Sequence, residues 1–135
     1  MAQTALARFR DAAASDPSSF DPYLAMAVTQ VYTLGDIDGA ILSLDEAVKR
    51  GYNRTRRETA LLGDAYMRRG MTGRRRAAVL TGDERHAALV KAKIDFDQCV
   101  SSFTQILDFG KAAEHLESCK AQMRRIDQQL DEEGS

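Results

Sequence analysis

The clearest helical pattern in this chain lies between Leu89 and Leu130, where the sequence reads LVKAKIDFDQCVSSFTQILDFGKAAEHLESCKAQMRRIDQQL. Apolar residues recur there at alternating steps of three and four, first from Leu89 to Ile106 and then from Phe109 to Leu130. This spacing has the period of about 3.5 residues that is typical of a coiled-coil seam. Because the connection between the two seams is short, the pattern predicts two long helices that form an antiparallel hairpin.

Shorter amphipathic helices are predicted before this hairpin, over residues 4–15, 21–34 and 37–50. Asp21 is expected to cap the second helix and Asp36 the third, while Gly35 suits the left-handed position between them. Each predicted helix has one apolar stripe that should be buried. The stripes are Ala5, Leu6, Phe9, Ala12 and Ala13 in the first helix, Leu24, Ala27, Val28, Val31 and Leu34 in the second, and Ile37, Ala40, Ile41, Leu44, Ala47 and Val48 in the third.

A fourth helix is predicted to begin at Thr55, which has the spacing of a capping box with Glu58. Beyond Gly70 two readings are open, because residues 71–82 are either a continuation of the helix past two glycines or a basic loop. We favour a kinked continuation to about Leu80. Asp83 and Asp108 are the expected caps of the two long helices that follow.

Length and composition describe a single domain over residues 1–135, with 44% hydrophobic residues and a formal net charge of −1. No apolar run approaches the roughly 20 residues of a membrane helix, and the first ten residues lack the pattern of a secretory signal. Cys99 and Cys119 lie on the apolar seams, where free cysteines behave as small hydrophobic residues. We therefore expect reduced core cysteines, a cytoplasmic location and no contact with a membrane. The alternative is that the two cysteines face each other across the hairpin, where oxidation could link them.

Positive charge is concentrated in the middle of the chain, since residues 54–93 hold eleven Lys or Arg residues and four acidic residues. The flanking segments are acidic, so the basic stretch either attracts an anionic partner or is neutralised by the protein's own acidic helices. Few aromatic residues lie between the arginines, and no nucleic-acid-binding motif is present. The pattern therefore does not favour nucleic acid as a partner.

Residues that could carry catalysis or bind a metal form no recognisable motif. His115 and Cys119 are four apart and share a helix face, but a structural zinc site needs four ligands. No glycine-rich phosphate loop follows a strand, and the acidic residues of the last two helices have no ExxH partner. The sequence predicts neither an enzyme nor a cofactor-binding or metal-binding protein.

A short pattern of small and large residues recurs along the chain. Alanine is followed four residues later by a large apolar residue and three residues after that by a small one. The helix from Thr55 has a complementary pattern of an apolar residue with glycine, then tyrosine, then glycine. The repeated segments are Ala5-Phe9-Ala12, Ala40-Leu44-Ala47 and Ala112-Leu116-Cys119, and the complementary one is Leu62-Gly63, Tyr66 and Gly70.

These segments resemble the tetratricopeptide repeat, a helix-turn-helix unit of about 34 residues. The resemblance implies an all-α, right-handed solenoid of antiparallel helix pairs, with about six helices in all. It divides the chain into an orphan repeat helix at 1–17, a repeat at 21–53, a repeat at 55–107 with an insertion near 71–82, and a capping helix at 108–131. The match is irregular, because Val31 replaces the usual tyrosine and Tyr52 the usual proline.

The resemblance implies an adaptor or scaffold that binds a protein or peptide segment in a concave groove, without cofactor or catalysis. Lysines and asparagines that clamp a partner's terminal carboxylate in some members of the family are absent here. Homo-oligomerisation through the apolar seams and binding of an anion or a nucleic acid by residues 54–93 are the alternative functions. The groove positions are Ala25, Thr29, Tyr32, Arg57, Asp64, Met67 and Arg68.

Overall fold

Helices make up all the regular structure of residues 2–133, the part of the chain that the computed structural model describes. The predicted all-α class and the number of helices are confirmed. The chain divides between Leu61 and Leu62 into two compact units, and α4 begins in the first unit and continues in the second. The helices are α1 (Ala2–Ser15), α2 (Asp21–Thr29) with a π-helical turn (Gln30–Leu34), α3 (Ile37–Lys49), α4 (Arg56–Ala77), α5 (Gly82–Thr104) and α6 (Ala112–Glu133).

The first unit is organised around α2, which packs against both α1 and α3. Ala27, Ala40 and Ala47 have no exposed surface, and their small side chains allow the helix backbones to approach closely. The predicted pattern of small and large residues therefore marks real packing positions in α3. The buried apolar residues of this unit are Leu6, Ala13, Met26, Ala27, Val31, Ile37, Ala40, Leu44 and Ala47.

The predicted stripe of α1 is wrong in part, since Ala12 is exposed and Ala5 and Phe9 are only half-buried. Of the five predicted positions, only Leu6 and Ala13 are buried. The buried stripe is narrow because, among the described helices, α1 makes its main contact with α2. Exposure of Val28 and Val48, at 48% and 43%, also contradicts the predicted stripes of α2 and α3.

Side chains at the helix ends fulfil some of the capping predictions. The Asp36 side chain accepts a hydrogen bond from the Gly39 backbone N–H at 2.9 Å, and Gly35 adopts the expected left-handed conformation with φ of 65°. Asp21 and Asp83 are not caps, because each lies inside the first turn of its helix. An acidic residue there interacts favourably with the helix dipole. The last helix begins at Ala112, so Phe109 lies in the preceding turn.

The predicted capping box at the start of α4 is confirmed. Glu58 accepts hydrogen bonds from the Thr55 backbone N–H at 2.7 Å and from the Thr55 hydroxyl at 2.6 Å. The hydroxyl of Tyr52 donates to the same carboxylate. Burial by itself raises the pKa of Glu58, but the bonds from Thr55 and Tyr52 outweigh it and hold that pKa below its ordinary value. The Glu58 carboxylate in turn raises the pKa of Tyr52.

In the second unit α5 and α6 pack along each other. Contacts between Cys99 and Cys119, Lys93 and Asp127, and His86 and Glu133 pair earlier residues of α5 with later residues of α6. This order shows that the two helices run in opposite directions. The buried apolar residues of the pair are Leu89, Ala92, Phe96, Cys99, Phe103, Ile106, Ala112, Leu116, Cys119 and Ile126.

The expectation of reduced cysteines is wrong, because Cys99 and Cys119 form a disulfide bond between α5 and α6. Both residues are wholly buried. They meet because the two seams face each other, which brings the Cα atoms to 6.4 Å. Disulfides persist in oxidising compartments and are rare in the cytosol, so the cysteines do not support the predicted cytoplasmic location.

Close packing of α4 on α5 depends on two glycines of α4. A Cβ atom on Gly63 would lie 2.9 Å from ring carbons of Phe103, and one on Gly70 would lie 2.9 Å from ring carbons of Phe96. Alpha-helical structure continues past Gly70 and Gly73 and ends at Ala77, three residues before the predicted end. Much of residues 71–82 thus lengthens α4, and no long loop is present there.

Candidate functional site

Three of the groove positions predicted from the sequence lie on α2 and the π-helical turn of the first unit. Ala25 and Thr29 are half-buried, and the Thr29 hydroxyl donates to the Ala25 carbonyl at 3.1 Å. Tyr32 is 50% exposed. Of these three side chains, only the ring of Tyr32 presents a large surface for a ligand.

The other four predicted positions lie on α4. Arg57 is exposed in the part of α4 that belongs to the first unit. In the second unit Asp64 and Arg68 form an ion pair one helical turn apart, with 3.1 Å between Asp64 Oδ2 and Arg68 Nε. Met67, half-buried, lies between them in sequence. The structure therefore brings Asp64 and Arg68 together, while Arg57 and the α2 residues are placed in a different unit.

The face of α4 that carries Asp64 and Arg68 continues along the helix through residues that the sequence analysis did not select. Steps of three and four lead from Arg68 to Met71, Arg75 and Ala78, which places all of them on one side of the helix. This surface, which we call the α4–α6 face, ends in a cleft of about 330 Å³ between α4 and α6. The cleft is lined by Met71, Arg74, Arg75, Ala78, Gln122 and Gln129.

Both polar and apolar groups are available in this cleft. A guanidinium N–H of Arg74 donates to Gln122 Oε1 at 2.6 Å, which joins the two walls. Met71 is 38% exposed and offers a flexible apolar surface. Gln129 Oε1 is buried and accepts no hydrogen bond from any described residue. A buried acceptor of this kind is costly unless a donor reaches it.

Sequence reasoning missed Gln122 and Gln129 because polar residues on a terminal helix resemble an ordinary solvated surface. Their seven-residue spacing, two helical turns, was the available signal that they share one side of α6. Arg74 and Arg75 were missed for another reason. They fall in residues 71–82, where a loop was still open as an interpretation.

Residues considered earlier for metal binding have other contacts. His115 packs edge-on against Phe103 with 5.1 Å between ring centroids, and the sulfur of Cys119 is bonded to Cys99. His86 lies 3.0 Å from a Glu133 carboxylate oxygen. Within residues 2–133, no three His, Cys, Asp or Glu side chains are arranged to hold a metal ion. In the same range no helix is both long and apolar enough to span a bilayer.

Comparisons with protein-family models, with curated proteins and with solved structures gave no match to this chain.

Proposed function

We propose that this protein is a non-enzymatic adaptor that binds an extended polypeptide segment on the α4–α6 face. The proposal includes the tetratricopeptide-like arrangement of helix pairs. It is supported by the burial of Ala40, Ala47 and Ala112 at the small positions of the repeated pattern. Gly63 and Gly70, the glycines of the complementary pattern, lie against the Phe103 and Phe96 rings of α5.

The observation that carries the proposal is the buried acceptor Gln129 Oε1 in an otherwise accessible cleft. An extended polypeptide presents one backbone N–H and one C=O per residue, and in that conformation none of them is used internally. Rotation of the Gln129 side chain into the cleft would let its oxygen accept a backbone N–H of the segment. Gln122 and Arg74 supply further hydrogen-bonding groups, and Met71 supplies an apolar contact for a side chain of the segment.

Charge on the same face adds a preference for acidic side chains in the bound segment. Arg75 is exposed, and it hydrogen-bonds only weakly, at 3.3 Å, to the Thr72 hydroxyl. An arginine can bind a carboxylate through two parallel, charge-assisted hydrogen bonds. Arg68 lies two helical turns before Arg75 on the same face of α4, and it is 56% exposed despite its ion pair with Asp64.

Nucleic acid is less well supported as the ligand, because much of the basic stretch makes contacts within the protein. Arg68, Arg69, Arg85 and Lys93 pair with Asp64, Asp95, Glu133 and Asp127, and Arg74 bonds to Gln122. Nonspecific nucleic-acid binding needs many cations that are available for phosphates. A polypeptide requires only the few groups that the cleft provides.

Peptide selection with the full chain tests the proposal. A random peptide library displayed on phage is panned on immobilised protein, and the recovered peptides are synthesised and measured by fluorescence anisotropy. We expect Gln129→Leu, which removes the acceptor at similar volume, to weaken binding about fivefold. Met71→Asp, which places a charge in the cleft, should weaken binding at least as much. Replacing Asp64 and Arg68 by alanine tests the part of the α4–α6 face that precedes Met71.

Lys120→Glu is the matched control, because Lys120 lies on the side of α6 opposite Gln122 and is exposed. It should leave the peptide Kd unchanged. The proposal is wrong if no peptide is recovered, or if the recovered peptides bind Gln129→Leu and Met71→Asp as tightly as the natural sequence.

A further inference from the structure

A second groove lies between α4 and α5 in the second unit, with a volume of about 530 Å³. It is on the side of the helix pair away from α6. Lys93 on α5 and Arg74 on α4 both contact α6. The residues two positions before and after each of them line the groove. A step of two residues turns the side chain by about 200° around an α-helix. The lining includes Arg69, Thr72, Arg76, Glu84, Lys91 and Asp95.

Small residues form much of the groove wall between these polar side chains. Gly73, Ala88 and Ala92 leave space where the two helices meet, and Leu80 closes one end with an apolar side chain. The groove is therefore wide enough for large apolar side chains of a docking element to reach the helix backbones.

Cations stand on both sides of this groove. Arg76 on α4 and Lys91 on α5 are exposed, and neither forms an ion pair with another residue of the described range 2–133. At one end, Arg69 is already neutralised by the buried Asp95, with bonds of 2.9 to 3.1 Å. Glu84 places one acidic group near the Leu80 end. The central part of the groove is consequently apolar at its base and positively charged at its edges.

The protein itself shows what kind of element this helix pair accepts, because α6 packs on its other side. The apolar stripe of α6 is buried through Leu116, Cys119 and Ile126. Beside that stripe, Asp127 pairs with Lys93 at 2.5 Å. Glu133 similarly approaches Arg85, at 3.9 Å. An amphipathic helix with acidic residues next to its apolar stripe is thus complementary to one side of the pair.

We propose that the α4–α5 groove binds an amphipathic helix of a partner protein, one whose apolar stripe is flanked by acidic residues. The stripe would occupy the space over Gly73, Ala88 and Ala92. The flanking carboxylates would pair with Arg76 and Lys91, the counterparts of the cations that face α6. Helix-in-groove docking of this kind is a common mode of peptide recognition. The site is distinct from the α4–α6 face and does not depend on the function proposed for it.

The probe is a fluorescein-labelled peptide of three heptads with Leu at a, Ala at d and Glu at e and g. A matched peptide has Gln at e and g. Binding to the full chain is measured by fluorescence anisotropy at low and high salt. We expect the Glu peptide to bind about tenfold more tightly than the Gln peptide at low salt, and this preference should shrink as salt screens the charges.

Charge reversal locates the site. Arg76→Glu with Lys91→Glu should weaken binding of the Glu peptide about tenfold or more, since two attractions become repulsions. Lys120→Glu with Arg124→Glu is the control, because it makes the same change in net charge on α6 and outside the groove. The control variant should bind the Glu peptide only slightly less tightly than the natural protein, because it weakens only the long-range attraction between the two molecules.

Three outcomes would overturn the proposal. If the Glu and Gln peptides bind equally tightly, the protein does not recognise the charge of the helix. If the two double variants lose the same affinity for the Glu peptide, the groove is not where that peptide binds. A dimer in light scattering that Arg76→Glu with Lys91→Glu dissociates would show that a second copy of the chain occupies the groove. None of these outcomes bears on peptide binding at Gln129, which is measured with different variants.

Discussion

The two units of this protein use different residues to pack their helices together. In the first unit, α1, α2 and α3 are 14, 9 and 13 residues long, and alanines close the contacts between helices. In the second, α5 and α6 contain 23 and 22 residues, and α4, whose 22 residues begin in the first unit, continues beside them. Phenylalanine rings of α5 pack against glycines of α4, and a buried disulfide links α5 to α6. Longer helices leave room for more than one surface, and both proposed binding surfaces lie in the second unit.

The disulfide is expected to account for the largest single difference between the units. Replacing Cys99 and Cys119 together by alanine removes a covalent link between residues 20 apart. Loop-closure entropy predicts a loss of about 3 kcal/mol in the free energy of unfolding of the second unit. Hydrogen exchange followed by mass spectrometry measures this loss, because peptides from α5 and α6 report on the second unit alone.

Peptides from α2 and α3 are the internal control for that experiment, and their protection should change little. Adding a reductant to the natural protein should reproduce the effect, while the alanine variant should not respond to it. If α5 and α6 exchange at the same rate in the natural protein and in the alanine variant, the disulfide does not stabilise the second unit. A covalent link would then not distinguish the stability of the two units.

The parts of the fold that the sequence predicted well are those where a local sequence signal is sufficient. The seam from Leu89 to Ile106 is buried at every predicted position, and the box formed by Thr55 and Glu58 starts α4 as expected. Ala12, Val28 and Val48 were misplaced because the width of a buried stripe depends on how many neighbours a helix has. A helical pattern contains no information about that number.

The candidate sites were harder to predict than the fold. Asp64 and Arg68 were selected from a resemblance, whereas Gln129 became a candidate only when burial showed its oxygen without a donor. A side chain's burial on a terminal helix is a tertiary property, so no local spacing reveals it. The disulfide was missed similarly. Seam positions indicated that the two cysteines could meet, but core cysteines are common enough that pairing was not the expected result.

Glycines of α4 offer a sharper test of how closely the second unit is packed. Gly70→Ala should lower the free energy of unfolding by about 1 kcal/mol. The new Cβ would lie 2.9 Å from the wholly buried ring of Phe96, and the cost of overpacking exceeds the gain in helix propensity. Gly73→Ala should instead raise stability by up to about 1 kcal/mol, because its Cβ would lie 3.4 Å from the Ala92 methyl group.

Thermal unfolding followed by circular dichroism measures both glycine variants under the same conditions. The same substitution, glycine to alanine, is made at two positions three residues apart. We expect it to change the free energy of unfolding in opposite directions. Destabilisation by both would mean that α4 tolerates no added atom along its contact with α5. Stabilisation by both would mean that the ring of Phe96 moves aside, and that the second unit is packed less rigidly than its buried residues indicate.

The remaining test concerns the first unit, where hydrogen bonds to the Glu58 carboxylate, and no covalent link, hold Tyr52 and Thr55 to the start of α4. Hydrogen bonds hold the pKa of Glu58 below its ordinary value, so the ionised form is favoured in the folded state. Its contribution to stability is therefore present above the pKa of an unfolded glutamate and is lost as pH falls through the lower, folded value. Glu58→Gln should cost about 1 kcal/mol at neutral pH and progressively less below about pH 5.

Urea unfolding across a pH series measures this difference between Glu58→Gln and the natural protein. Tyr52→Phe is the matched variant, because it removes one donor to the carboxylate and keeps the ring that packs against Phe20 at 5.1 Å. It should show a smaller loss at neutral pH that also shrinks on acidification. A loss that stays constant from neutral to acidic pH would mean that the charge of Glu58 is not what stabilises the start of α4. The first unit would then be held by the packing of its buried side chains without a contribution from this charge, whereas the second unit also has its disulfide.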